Sequence, residues 1–491
     1  MKISLSTINT GQLFKYAFGV ILAVQILIAI SIPFMHMTND SGWYYMNAHF
    51  IKTGEYIQRN ATPSFDKPSH FYPLMGYSGF VFLCDAIANT TSIEFTEVIK
   101  YVQLLLYIFA AFVCVRIFKE LFENENFEYL GGLLFVLYYP YFNYTTILMS
   151  ETYATFILLF VVLQFIRTIK RPSAKSALLL FTFGGYFILI KPVFIPVLAL
   201  ISIIFTIMMV NKRRYRLLFC MFSAYFFLTI QVAINRNVYH SSEMQSGKGF
   251  HFWDRVITYD KLIPKKSAAL DTLKNIYAAH NQPVSYDYWW FIVKDLSHWG
   301  YKEAEIDRLC LAISKDGIKE NKVPYFFNTF KNTYTNFNQD NHSLYVRASQ
   351  SAYKEEIITF SGDPQHRILT DRLLKQEYLV EMPFNQPILK LNTVYAYFSN
   401  YLLKVIHTTL FYVLFILSGI YFLVKLFKQK FKTHVIEASI WCIAFGIMFG
   451  VNLAEYPTPR NIQPIIILIL FCIVLASHQL YKDIKTRRIS A

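Results

Sequence analysis

The chain has 491 residues, of which 54% are hydrophobic, 18% aromatic and only 16% charged, against about 25% charged in an ordinary soluble domain. Mean hydropathy is +0.33. These values exclude a soluble globular enzyme, a disordered chain and a fibrous repeat, and they point to an all-α polytopic membrane protein. Six cysteines without a CxxC pair give neither a disulfide scaffold nor a zinc signature. The formal charge of +15 reads as basic loops on anionic lipid head groups, with no nucleic-acid partner.

The first apolar run, roughly 14–34, is long enough to cross the hydrocarbon core and has no cleavage site behind it, so it reads as a retained helix. Further spans are expected near 98–118, 128–147, 152–168, 176–191, 193–210, 215–236, 403–427, 434–452 and 461–480, about ten in all. Residues 72–88 are apolar but short and carry Asp85. If this run does not cross, Arg167, Lys170, Arg171 and Lys175 fall on one side with the Lys212–Arg216 cluster, the Lys425–Lys432 group and Lys482–Arg488. The positive-inside rule then reads 72–88 as a re-entrant or juxtamembrane helix and both termini as cytoplasmic. Three regions follow: an N-terminal transmembrane module, 1–236, with outer loop 35–97; an extracytoplasmic segment, 237–402; and C-terminal transmembrane helices, 403–491. In the middle region, Tyr301 to Phe337 reads as two amphipathic helices broken at Lys322-Val323-Pro324.

Ionisable residues near membrane depth are costly and often functional. Asp40 follows the first span and opens a segment in which Tyr44, Ala48 and Ile51 can share a helical face. It is either a helix-capping aspartate or a carboxylate held at the surface as a general base. Glu151 starts the fourth span, with Ser150 as a possible cap. It is either an acid suited to the helix dipole or a second site carboxylate that binds a metal or the acceptor. Lys191, before Pro192, either snorkels to the interface or binds an anion. Arg460, in the stiff loop Glu455-Tyr456-Pro457-Thr458-Pro459-Arg460, suits a lipid phosphate or pairs with Glu455 on the surface. His36, His49 and His70 match no ligand spacing. Trp253, Trp289, Trp290 and Trp299 are either ordinary core or a glycan-stacking surface.

The chain resembles the polytopic glycosyltransferases of the GT-C superfamily, with the nearest likeness to bacterial relatives of protein O-mannosyltransferases and of the lipid A aminoarabinose transferase. Four stretches carry this: a span followed by Asp40, Tyr44, Ala48 and Gly54; Phe71-Tyr72-Pro73-Leu74; Pro140 with Ser150-Glu151; and Glu455, Arg460-Asn461 and Pro464 before the last helix. The sequence departs from the family in having Asn39-Asp40 where relatives carry an acidic pair, and Arg460-Asn461 where they show Arg-Tyr.

The resemblance implies an inverting transfer of a sugar from a polyprenyl-phosphate donor to an extracytoplasmic glycolipid, glycan or protein. Asp40 would be the base, and Glu151 would orient the acceptor. Lys191 and Arg460 would hold the donor phosphate, whose negative leaving charge needs cations more than an acid. Trp43, Tyr44, Tyr72 and Glu455 are expected to line the substrate path. No cofactor is certain. A divalent cation, Mg or Mn, remains open, with Asp40 and Glu151 as its candidate ligands. The implied location is a bacterial inner membrane with the site facing the periplasm. The alternatives are an O-antigen polymerase or ligase-type enzyme and a lipid-linked sugar flippase or transporter.

Overall fold

Long apolar runs that end at basic clusters, glycines or prolines become helices. The computed structural model describes residues 9–31, 35, 39–54, 75–122, 125–239, 244, 247–338, 398, 402–429, 434–455 and 462–490. The N-terminal part contains α1 (Thr10–Ser31), α2 (Asn39–Thr53), α3 (Met75–Thr91), α4 (Phe95–Leu121), α5 (Glu128–Leu137), α6 (Tyr139–Asn143), α7 (Glu151–Lys170), α8 (Ala174–Ile190), α9 (Ile195–Asn211) and α10 (Tyr225–Tyr239). The middle part contains α11 (Lys248–Phe252), α12 (Ala268–Ala279), α13 (Trp289–His298), α14 (Glu303–Glu320) and α15 (Lys322–Asn338). The last three are α16 (Thr409–Lys428), α17 (Val435–Ala454) and α18 (Ile466–Ser490).

Among the described residues, eight helices are long and apolar enough to cross a membrane, and α5 and α8 are shorter apolar helices. This is a polytopic all-α membrane protein. The α7 stretch is 78% buried inside the protein, whereas Tyr215–Asn237 is 11% buried. α7 is therefore the central helix and α10 lies at the periphery. At 17 residues, α3 is not among the eight.

The expected span at 128–147 is not one helix. Pro140 has no N–H to continue the hydrogen-bond ladder, so α5 stops at Leu137 and a new short turn begins with the proline in its first positions. A 3₁₀ turn, Tyr144–Thr146, follows. The break frees backbone carbonyls, and Gln103 Nε2 lies 3.4, 3.1 and 2.9 Å from those of Tyr144, Thr145 and Ile147. A buried amide thus replaces the missing helical donors.

The basic clusters gather at one end of the bundle, as the charge pattern requires. Arg167 and Arg171 reach Glu120, and Lys170 donates to the Glu120 carbonyl. Lys212 Nζ caps the Ile169 carbonyl at 2.6 Å, a last-turn acceptor of α7. Lys425 pairs with Asp483 at 2.5 Å. Phe122 packs edge-on against His478, which ties the end of α4 to α18.

The middle part has a core of its own, built from Trp253, Val256, Leu273, Tyr277, Ile292, Leu296, Cys310 and Ile313 with their neighbours. The two helices expected between 301 and 337 are α14 and α15. They break at Asn321, and Pro324 sits in the first turn of α15, where its missing N–H is harmless. Arg255 fastens this unit to the bundle. Its Nε donates to the Asn452 carbonyl at 2.9 Å, and Tyr325 donates to the Leu453 carbonyl.

Candidate active site at one end of the helical bundle

The end opposite the basic clusters collects the start of α7, the junction of α8 and α9, and the start of α18. Glu151 is the first residue of α7 and is 1% exposed. Ser150 does not cap this helix. It has helical backbone angles instead of the extended ones a cap needs, and its hydroxyl accepts from Tyr44 Oη at 3.3 Å. Glu151 Oε1 meets Lys191 Nζ at 3.3 Å. Lys191 sits there because the chain must turn between α8 and α9, and Pro192 starts a new 3₁₀ turn. Its ammonium is partly shielded, and it pairs with Glu151 where a snorkelling lysine would reach only for water.

α3 is pressed close to that junction. A Cβ on Gly76 would stand 2.7 Å from the Leu189 carbonyl carbon and oxygen, so only glycine permits the approach. Tyr186 Oη donates to the Gly76 carbonyl at 2.7 Å and holds the two elements together. Tyr77 donates to Gln103 Oε1 at 2.8 Å, the same amide that gathers the freed carbonyls.

α2 docks beside the start of α7. Ser41 Oγ donates to the Leu148 carbonyl at 2.8 Å, and the Tyr44 ring packs edge-on against Tyr77 at 4.7 Å. The helix starts at Asn39, so Asp40 lies in its first turn and not at its cap. The backbone brings Asp40, one residue before Ser41, to the end of the bundle that holds Glu151 and Lys191. The side chains of Asp40 and Trp43 lie outside the described residues, as do Tyr72 and Arg460 entirely. Glu455 ends α17 at this same level, half-buried. Tyr44 is buried, with its hydroxyl committed to Ser150.

The second carboxylate oxygen of Glu151, Oε2, is buried without a hydrogen-bond partner. Thr152 Oγ1 and Gln463 Nε2 are buried and unpartnered too. All three residues line one tight crevice, together with Tyr107, Phe135, Tyr141, Tyr144 and Thr155. Sequence reasoning missed Gln463. The signal was present: a lone amide before Pro464 at the head of an apolar run. Tyr141 fixes it by donating to the Gln463 carbonyl at 2.8 Å while accepting from the Ile467 N–H at 3.0 Å.

A divalent cation fits the described residues here poorly. Glu151 is a single carboxylate with an ammonium already on one oxygen, and the Asp40 carboxylate lies outside the described residues. Mg or Mn needs about six oxygen ligands, and no group of three His, Cys, Asp or Glu forms among the described residues.

The tryptophans of the middle part divide. Trp253 is fully buried and donates to the Asp287 carbonyl at 2.9 Å. Trp289 stacks on Phe250 and Trp299 on His280. Trp290 alone of the four is an exposed ring.

No protein-family model matches the chain, and no curated protein matches it. Among solved structures, it is similar to the archaeal oligosaccharyltransferase AglB from Archaeoglobus fulgidus, a complex with an inhibitory peptide and a dolichol-phosphate. The TM-score is 0.42 at 10% identity, over 97% of this chain and 51% of the other, so the chain spans about half the length of that relative. A likeness this loose decides nothing about activity.

Proposed function

We propose that this protein is a membrane glycosyltransferase that moves a sugar from a polyprenyl-phosphate donor to an extracytoplasmic acceptor by a single inverting displacement. The observation that carries the reading is the Glu151–Lys191 pair: a buried carboxylate with one oxygen unpartnered, next to an ammonium, at the bundle end where α2 brings Asp40. The motif order read from the sequence supports the same reaction class.

In this reading the acceptor hydroxyl oxygen attacks the sugar's anomeric carbon as the bond to the donor phosphate breaks. The hydroxyl proton goes to Asp40, and the electron pair of the broken bond leaves with polyprenyl phosphate. One base acting on one face suits inversion. Lys191 and Arg460 offset the leaving charge; a cation placed where charge develops stabilises the transition state more than the ground state. Glu151 orients the acceptor and holds Lys191 in place through Oε1.

The test is transfer by the purified full-length protein in nanodiscs. A panel of radiolabelled polyprenyl-phosphate sugars and extracted membrane glycolipids is offered to wild type, Asp40→Asn and Glu151→Gln. Label transfer by wild type that disappears in Asp40→Asn, with the variant still monodisperse, is the expected result. Equal transfer by both proteins removes Asp40 from the role of base.

A further inference from the structure

The crevice beside Glu151 carries a second reading, about what it recognises. Three of the residues that line it each carry a buried polar atom with no partner: a carboxylate oxygen, a hydroxyl and an amide nitrogen. These residues are 1%, 4% and 2% exposed. Each such orphan costs about 1–3 kcal/mol of desolvation, and three on residues that share one crevice call for an explanation.

We propose that this crevice is a binding subsite for a single neutral hydroxyl of a sugar, held between Glu151 Oε2 and Gln463 Nε2 with Thr152 Oγ1 beside them. The donor and acceptor inventory selects the group. A carboxylate oxygen can only accept, and an amide nitrogen can only donate. A ligand group that satisfies both must itself donate and accept. A hydroxyl does so. An ammonium only donates and would face Nε2 with hydrogens, while a carboxylate only accepts and would face Oε2 with lone pairs. The charge balance agrees, because Lys191 already neutralises Glu151 and leaves the crevice close to neutral. Gln463 is a positioning residue here, not a catalytic one.

The walls are built to hold this arrangement. Tyr141 donates to the Gln463 carbonyl and accepts from the Ile467 N–H. Thr155 Oγ1 donates to the Glu151 carbonyl at 2.7 Å. At the rear, Tyr107 donates to Gln25 Oε1 at 2.7 Å, and Gln25 Nε2 donates to the Val136 carbonyl at 2.8 Å. As it stands the crevice has no room for a water molecule, so the Gln463 side chain has to turn for the hydroxyl to enter.

The site deepens the glycosyltransferase reading and rests on it for the identity of the ligand as a sugar. Its test does not require transfer. Full-length protein in nanodiscs is titrated with a panel of methyl glycosides, with thermal unfolding as the readout. The same sugars are offered with an amine or a carboxylate replacing one hydroxyl. At least one neutral methyl glycoside should raise the unfolding temperature of wild type. Its apparent affinity should fall about tenfold or more in Gln463→Leu, and the matching amino and acidic sugars should bind at least tenfold more weakly. Gln463→Leu should unfold no earlier than wild type without ligand, because it deletes an orphan. Thr152→Val guards against a folding defect at 463 and should weaken binding in the same direction. Absence of any glycoside effect on wild type overturns the subsite, as does equal binding by both variants, or preference for the amino or acidic sugar. Glycoside binding without label transfer from any donor would overturn the transferase reading and keep the subsite.

Discussion

Two buried ion pairs in this protein have opposite characters. Arg255 and Asp260, in the middle unit, are 0% and 2% exposed at their side chains, and the guanidinium reaches three further groups although Nη1 and Asp260 Oδ2 make no hydrogen bond. Nε reaches the Asn452 carbonyl, Nη2 reaches Thr329 Oγ1 at 3.3 Å, Nη1 faces Asp260, and the plane lies over the Tyr325 ring at 5.4 Å. Glu151 and Lys191 make one contact, at 3.3 Å, and leave Oε2 with nothing. Burial alone does not separate a fastening from a site. The pair whose guanidinium also reaches Asn452 and Thr329 ties the middle unit to α17, while in the proposed site the other leaves Glu151 Oε2 for a ligand.

The sharpest way to break the comparison is to damage each pair and ask what is lost. At the site, Asp40→Asn should lower transfer by about 10²–10⁴-fold, the range for a general base. Glu151→Gln should lower it about 10²-fold through misplacement of the acceptor. Both should unfold close to the wild-type temperature, measured on the same nanodisc samples. A Glu151→Gln protein with normal turnover would make that pair a second fastening.

At the junction, Arg255→Met should destabilise by about 3–5 kcal/mol, because it leaves Asp260 charged, buried and unpaired. Hydrogen exchange across 248–338 should accelerate accordingly. The double variant Arg255→Met/Asp260→Leu should recover most of the loss, since a buried pair replaced on both sides is often neutral. Failure of the double variant to recover would assign the stability to the bonds with Asn452 and Thr329 instead of the charges.

The difference between the two pairs was only half visible in the sequence. The spans were legible because twenty apolar residues in a row have few alternatives, and the side of the basic clusters followed from charge alone. Glu151 and Lys191 stood out as lone charges bordering apolar runs. The break at Pro140 is readable in principle, but hydropathy does not register a missing N–H, so 128–147 reads as one span on apolarity alone. Gln463 and Gln103 were passed over because a neutral amide in an apolar run carries no charge to catch the eye. Their meaning depends on which carbonyls or carboxylates fold against them. Arg255 was hidden for the opposite reason, since one arginine in a polar segment looks like any other until its burial is known. The backbone of Asp40 lies at the end of the bundle that holds Glu151 and Lys191, as its place just after the first span suggests.

A smaller effect tests the middle unit by pH. Burial pushes the Asp254 carboxyl up to about 7 from 3.8, partly opposed by the hydrogen bond it accepts from the Trp289 N–H. A carboxyl raised on folding binds more protons in the folded state between those values. Stability should therefore be highest at about pH 4, fall as pH rises to about 7, and level off above. The loss is on the order of 4 kcal/mol at most, from about three units at roughly 1.4 kcal/mol each. Asp254→Asn keeps the acceptor for Trp289 and should flatten this slope, read by hydrogen exchange across 248–338 at pH 5 and pH 8. An unchanged slope in the variant would place the pH dependence elsewhere.

The smallest effect concerns Tyr44, which stands between the two roles. Its hydroxyl donates to Ser150 Oγ at a long 3.3 Å, and its ring lies edge-on to Tyr77. Both contacts serve to dock α2 beside the start of α7. Tyr44→Phe keeps the ring and removes one neutral hydrogen bond, so the stability change should be about 0.5–1 kcal/mol, the low end for such a bond. If the hydroxyl only docks the helix, KM for the lipid-linked donor should move less than twofold, with kcat carrying any small loss as Asp40 drifts. A KM raised tenfold at unchanged kcat would mean that Tyr44 leaves Ser150 to bind substrate. The start of α7 would then be a moving part of the site, and the contrast between a rigid fastening and a poised pair would extend to α2.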